Sequence, residues 1–400
     1  MKLRKQALSL QSSAFLNLVR LVACELVVLG HFLTKYQPTP YDALFRMGST
    51  IGGAAVLAFF VLSGFLITYS LLNKADNPKY GFRSYFVDRF SRIYSGLIPA
   101  LVLAGALAAV IYTTNYTYYT QLCSMQSAPS LQTLSMTALM LERFPVGFFQ
   151  TLLAGTGISF PLPDVTPFGF NGILWTLVVE WWIYMFFGWL VIGGLAFWGK
   201  RQKSGGCKAA IAAGVGVLCL VLAGLFVQYT GAVVTWFLGV LVLLCVGSET
   251  IRMRLAGDSA KRLLAAVFAF SLAVLAFALY ATFAWTRDYY GVALGLAISV
   301  CILLGVLLLN HDTQKPVFNK RTAGYIALGA GFSYTLFLTH YPIIIYLNGL
   351  DLPVNRFLML IPILLITNFA AYAIAYFTEK RHKQLAVAIK KAIHLPVPVP

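Results

Sequence analysis

Arg20 and His31 are the residues whose type and spacing best suit chemistry, because both lie inside one apolar run from Phe15 to Phe32. Eleven positions separate them, almost three turns at ~3.6 residues per turn, so their side chains share a helix face about 16 Å apart. A bilayer core is roughly 30 Å thick, which sets the guanidinium towards one surface and the imidazole in the other half. Ionisable groups at that depth are costly and face a bundle interior or a water-filled cavity. One arginine alone can snorkel to headgroups, and one histidine alone can sit at the far interface. Two on one face point to a shared site.

Further polar groups stand out against the apolar background. Glu180 lies within NGILWTLVVEWW, with Trp175 five residues before it. A carboxylate there either fixes helix packing through a partner or serves a site. His340 is deep in SYTLFLTHYPIII, and Pro342 should interrupt the helix hydrogen bonds just after it. Ser63 and Gly64 form a notch in FFVLSGFLITYS that suits either close packing or a site. Arg89 and Arg92, three apart and near Arg83, neighbour one another on a helix face. With Phe82, Tyr85, Phe86 and Phe90 they read as an interfacial helix, either binding lipid headgroups or offering forked donors to phosphate oxygens.

What must position these residues is a set of membrane helices. The chain has 400 residues, is 59% hydrophobic and only 11% charged, and has a mean hydropathy of +0.78. That composition is of a polytopic membrane protein. The pattern predicts an all-α integral membrane protein with about ten transmembrane helices: 14–34, 51–73, 93–113, 172–198, 209–228, 231–248, 263–285, 289–310, 323–349 and 357–378. With the N-terminus in the cytoplasm, 24 of the 30 Lys and Arg residues fall in inner segments and five in outer ones. Arg20 alone remains within the membrane. The inner group includes Lys2, Arg4, Lys5, Lys79, Lys200, Arg201, Lys203 and Lys315. Both termini are therefore expected inside, and the net charge of +17 reports topology rather than a nucleic-acid partner.

The first apolar run is too long and too poorly flanked for a cleaved signal peptide. An outer loop with Pro38 and Pro40 follows it. GGAA at 52–55 then allows close helix approach. The longest outer connection, about 114–171, contains a half-apolar piece at 131–153 with Glu142 and Arg143. An odd span there would invert the charge asymmetry downstream, so the piece is expected to be interfacial or re-entrant. Of six cysteines only Cys123 is placed outside, Cys207 lies in an inner loop, and no metal-ligand spacing occurs. Residues 1–378 read as one polytopic domain and 379–400 as a basic cytoplasmic tail ending in a short extended segment.

Taken together, Arg20 and His31, FFVLSGFLI (59–67), RFSRIY (89–94), NGILWTLVVE (171–180) and SYTLFLTHYP (333–342) resemble the membrane-bound acyltransferase family 3 in order and spacing. Two positions depart from its common pattern: Asn17 stands where members often carry Asp, and Pro99 is displaced from the arginine pair. The resemblance implies the membrane-only form, in the inner membrane of a bacterium, modifying a polysaccharide or other glycan by O-acetylation. It implies transfer of an acyl group, usually acetyl, from cytoplasmic acyl-CoA to a hydroxyl of a carbohydrate or lipid-linked glycan, with no metal. By the same resemblance His31 is the general base, Arg20 binds or orients the donor, and Arg89 and Arg92, with Ser63, hold acyl-CoA. Glu180 positions a partner within the core, with Trp175 and His340 as further site residues. An imidazole, with an ordinary pKa of about 6.5, suits the base role.

Two readings from other classes compete. A proton-coupled transporter could use Arg20, Glu25, His31, Glu180 and His340 as a relay. It would want repeated halves with broken helices, and the sequence has no internal repeat. An assembly partner in an envelope glycan machine would not need the intact Arg/His pair.

Overall fold

The computed structural model describes residues 8–35, 43–75, 77, 80–142, 146–157, 162–197, 205–255, 257–310, 316–353 and 355–396. Lys2, Arg4, Lys5, Pro38, Pro40, Lys79, Arg143, Lys200, Arg201, Lys203, Lys315 and the last four residues lie outside them. The regular structure among the described residues is helical. In chain order the helices are α1 (Leu10–Lys35), α2 (Ala43–Ala75), α3 (Phe82–Thr114), α4 (Tyr116–Met125), α5 (Leu131–Ala138), α6 (Val146–Leu153), α7 (Trp175–Phe197) and α8 (Gly205–Val246). They continue as α9 (Glu249–Arg254), α10 (Asp258–Ala281), α11 (Val292–Asn310), α12 (Lys320–Ala330), α13 (Ser333–Gly349), α14 (Leu360–Phe377) and α15 (His382–Ala392).

Among the described residues eight helices are long and apolar enough to cross a membrane, or nine if the bent pair α12–α13 forms one span. The chain is an all-α, multi-pass membrane protein. The expected spans at 209–228 and 231–248 are the two helical segments of α8, which meet at a kink where Tyr229 leaves helical geometry (φ −136°, ψ 40°). The expected interfacial helix and the third span, by contrast, are one helix, α3, with Pro99 inside it. A proline removes a single helix hydrogen bond, which a long, well-packed membrane helix tolerates.

Two compact units divide the chain: Met1–Asn73 with Thr230–Tyr334, and Lys74–Tyr229 with Thr335–Pro400. In the first unit α1 buries Leu16, Ala23, Cys24, Val27, Val28 and Phe32. Its lower end is tied by a two-way bond, Gln11 Nε2 to Phe318 O at 2.7 Å and Phe318 N to Gln11 Oε1 at 2.8 Å. Further along, Leu21 packs on Gly329 and Cys24 Sγ donates to Ser333 O at 3.1 Å. Near its other end α1 meets α2 backbone to backbone. A Cβ on Gly30 would stand 2.7 Å from Gly48 O and 2.9 Å from Gly52 Cα, so the small residues at 52–55 serve the expected close approach. This crossing sits one residue from His31. Gly30→Val should therefore destabilise the protein by about 1–3 kcal/mol through overpacking and displace the imidazole as well. A lowered melting temperature in detergent together with lost activity is the expected result, and a variant melting like the parent contradicts it.

In the second unit α3 is the axis. Phe82 and Phe86 meet Trp189 and Trp181 of α7 with ring centroids 4.6 and 5.6 Å apart. Tyr85, buried, donates its hydroxyl to Tyr184 O at 3.0 Å. The aromatic stripe of α3 is thus a seam between two helices. The stretch from 379 onward, expected as a tail, opens with a turn at Glu379–Arg381 and then forms α15. Lys390 of α15 is 3% exposed and pairs with Asp88 of α3 at 2.5 Å. Lys74 takes the other Asp88 oxygen at 2.7 Å, and Tyr80 donates to that same oxygen at 2.9 Å. Burial, then the Asp88 carboxylate, pushes the Tyr80 phenol far above its ordinary range, so it remains a donor.

Candidate functional site

Arg20, Glu25 and His31 are all half-buried on α1. Arg20 and His31 project within about 20° of one another around the helix axis, as their spacing requires. Ser63, in the same unit, accepts a hydrogen bond from Trp236 Nε1 at 3.1 Å. Beside it Gly64 rests against the Trp236 carbonyl and Gly239 against that of Val61. The Ser63-Gly64 notch is where α2 and α8 pack backbone to backbone, whatever else the hydroxyl does.

The remaining site residues belong to the second unit. Arg92 Nη1 is 2.7 Å from Glu379 Oε1, and Glu379 is 2% exposed. The other Glu379 oxygen accepts from Thr335 N at 3.1 Å and Thr335 Oγ1 at 2.7 Å. Glu379 thus caps the first turn of α13, where a carboxylate meets open N–H groups and the positive end of the helix dipole. Arg89 differs from its neighbour. Its guanidinium lies 5.7 Å from the Tyr85 ring centroid, and its buried Nε has no hydrogen-bond partner among the described residues. Of the two arginines, Arg92 has a structural task and Arg89 retains donor capacity.

Glu180 on α7 accepts from Tyr184 Oη at 3.1 Å, one turn on. Trp175, at the head of the same helix, stacks on Tyr229 with centroids 5.2 Å apart. His340 is fully buried on α13, and its Nδ1 lies 3.0 Å from Leu336 O. A carbonyl can only accept, so Nδ1 carries the hydrogen and Nε2 the lone pair. Pro342 interrupts the hydrogen-bond ladder as expected without ending α13, which runs through it to Gly349. The carbonyl its missing N–H leaves behind, Leu338 O, takes a hydrogen bond from Asn171 Nδ2 at 2.9 Å. Asn171, 0% exposed at the entrance to α7, was visible in sequence only as part of a motif.

The long connection between α3 and α7 is re-entrant. Tyr94 Oη, more than three turns into α3, donates to Ala138 O at 2.6 Å. Trp182 Nε1, about two turns into α7, donates to Met140 O at 3.0 Å. The backbone at Ala138–Met140 is therefore tied to α3 and to the first third of α7, and Glu142 just beyond it is buried. Sequence reasoning assigned no task to Glu142, Glu379 or Asp88. The only signal was an acid isolated in an apolar or basic stretch.

Helical bundle, membrane composition and these polar groups define a multi-pass membrane protein with ionisable side chains set inside its helices. The acyltransferase domain family model matches residues 13–379, and the chain belongs to that family, acyltransferase family 3. An "O-acetyl transferase" of Shigella phage Sf6 is 28% identical over 170 residues, 42% of this chain and 43% of that relative. The match thus spans less than half of the relative's length. No solved structure gives a significant match.

Proposed function

We propose that the protein transfers an acyl group, acetyl above all, from cytoplasmic acyl-CoA to a hydroxyl of a carbohydrate or lipid-linked glycan. The observation that carries this reading is an arginine and a histidine on one face of a membrane helix, in a chain of the acyltransferase family. His31 takes the proton from the acceptor hydroxyl as its oxygen attacks the thioester carbonyl. A C–O bond forms, the C–S bond breaks, and the proton passes to the departing CoA thiolate, so no further reactant is needed. Arg20 orients the donor from the other end of the same face. Arg89 offers its guanidinium to the donor phosphates, with Arg92 as a second cation beside it and Ser63 in the donor site. Glu180 positions a partner within the core, with Trp175 and His340 as further site residues. The basic asymmetry of the connections supports both termini in the cytoplasm, where acyl-CoA is found, and an inner bacterial membrane as the location.

The test is mass spectrometry of surface glycans from bacterial cells with and without the gene, alongside membranes given isotopically labelled acetyl-CoA. A base-labile acetyl mass on the glycan, present only with the gene, is the expected result. Label consumed without appearing on glycan would move the reading to another acceptor. Label left untouched would end it.

A further inference from the structure

The turn between α5 and α6 is held by its backbone. Met140 adopts φ 58°, and the carbonyls of Ala138 and Met140 accept from Tyr94 and Trp182. The Glu142 carboxyl makes no hydrogen bond to that scaffold. It is 1% exposed, and neither carboxyl oxygen has a hydrogen-bond partner among the described residues. Burial pushes the group well above the usual carboxylate range, against a smaller opposing pull from its own backbone N–H, and so favours the protonated form. Even a neutral carboxyl left this way keeps an unmet donor and an unmet acceptor, and a methionine of similar size would carry neither cost. Nothing among the described residues satisfies it.

A neutral carboxyl presents one O–H and one carbonyl oxygen side by side. An alcohol presents the same two functions and closes a paired ring of hydrogen bonds with it. A thioester brings acceptors only, and an ammonium brings donors only. The Tyr94 hydroxyl is within electrostatic reach of Glu142. Phe90 stacks on Tyr94 at 4.1 Å and Trp181 meets its ring edge-on at 6.0 Å, aromatic surface of the kind that pyranose rings lie against. We propose that Glu142 is an acceptor-binding residue, whose carboxyl holds a hydroxyl of the incoming carbohydrate at the tip of the re-entrant turn. This rests on the glycan reading above. Glu142 positions the substrate and does not exchange its proton in the reaction.

The experiment uses membrane vesicles, labelled acetyl-CoA, and surface glycan from the same cells stripped of esters by mild base. Glu142→Met should raise the apparent KM for stripped glycan roughly ten- to a hundredfold, leave the KM for acetyl-CoA within about twofold, and melt at or above the parent temperature. Glu142→Gln, which retains a donor and an acceptor, should bring the glycan KM back to within about threefold of the parent. An unchanged glycan KM in Glu142→Met would mean that the carboxyl holds only water, and would overturn the proposal. A Glu142→Met protein that unfolds or melts early would make the residue structural, with the same consequence. Glu142→Gln that loses turnover as fully as Glu142→Met would make it a base instead, overturning the binding role. A parent that transfers nothing to glycan sinks the glycan reading and this inference together, whereas an active parent with an indifferent Glu142→Met sinks the inference alone.

Discussion

His31→Ala is expected to reach the membrane at parent levels, bind acyl-CoA with parent affinity, and lose transfer by about 10²–10⁴-fold, the usual contribution of a positioned base. The fold should survive because the residue is half-buried and the α1–α2 crossing beside it is made by glycine backbone, not by the imidazole. Donor affinity should survive because the arginine end of the face lies about 16 Å away along α1. Arg20→Ala should show the opposite bias, weakening donor binding as well as slowing transfer. Acidification supplies an independent check: an imidazolium cannot accept a proton, so transfer should fall as the ring protonates. A folded His31→Ala protein that acylates at the parent rate would remove the assignment. His340, whose Nε2 bears the lone pair, would be the next base to substitute.

The second large effect separates two arginines that look equivalent in sequence. Arg92→Ala should cost about 3 kcal/mol of stability, because Glu379 stays buried with Thr335 as its remaining partner. Arg89→Ala removes a guanidinium that makes no such pair, so the fold should be little changed. Its effect should appear in acyl-CoA affinity, weakened by roughly tenfold or more for a lost charge-assisted contact. Adding Glu379→Gln to Arg92→Ala should restore part of the melting temperature, since the stranded charge is gone. If Arg92→Ala melted like the parent, the ion pair with Glu379 would be incidental, and the second donor cation would be the whole of Arg92's role.

What could be read from the chain followed local periodicity. Apolar runs marked the membrane helices, the Arg20–His31 spacing set both on one face, and the glycines at 52–53 announced a close crossing. What stayed hidden depends on partners distant in sequence. Pro342 reveals that a carbonyl is freed, but nothing local says that Asn171 takes it. Arg92 reads as an anion-binding fork until Glu379, 287 residues on, claims it. The interfacial helix and the third span looked separate because charge and polarity were weighed without the packing that carries α3 through both. Glu142 was noticed, but its isolation is a property of the folded interior, and no residue pattern expresses it.

The pairing of Asp88 with Lys390 has a consequence in time. The two residues are 302 positions apart, at opposite ends of the second unit's run of sequence. At about 5–20 residues per second, a ribosome needs roughly 15–60 s to deliver the lysine after the aspartate has emerged. During that interval α3 is already being handed to the membrane with an acid near its leading end, and Lys74, made just before it, is the cation at hand. The more exposed pair can therefore form at once, whereas the buried pair must wait for some three hundred further residues. Glu379 reaches Arg92 on the same schedule. A chain released early, anywhere upstream of Glu379, would leave both charges waiting, and the quality-control machinery of the membrane would meet a second unit that had never closed.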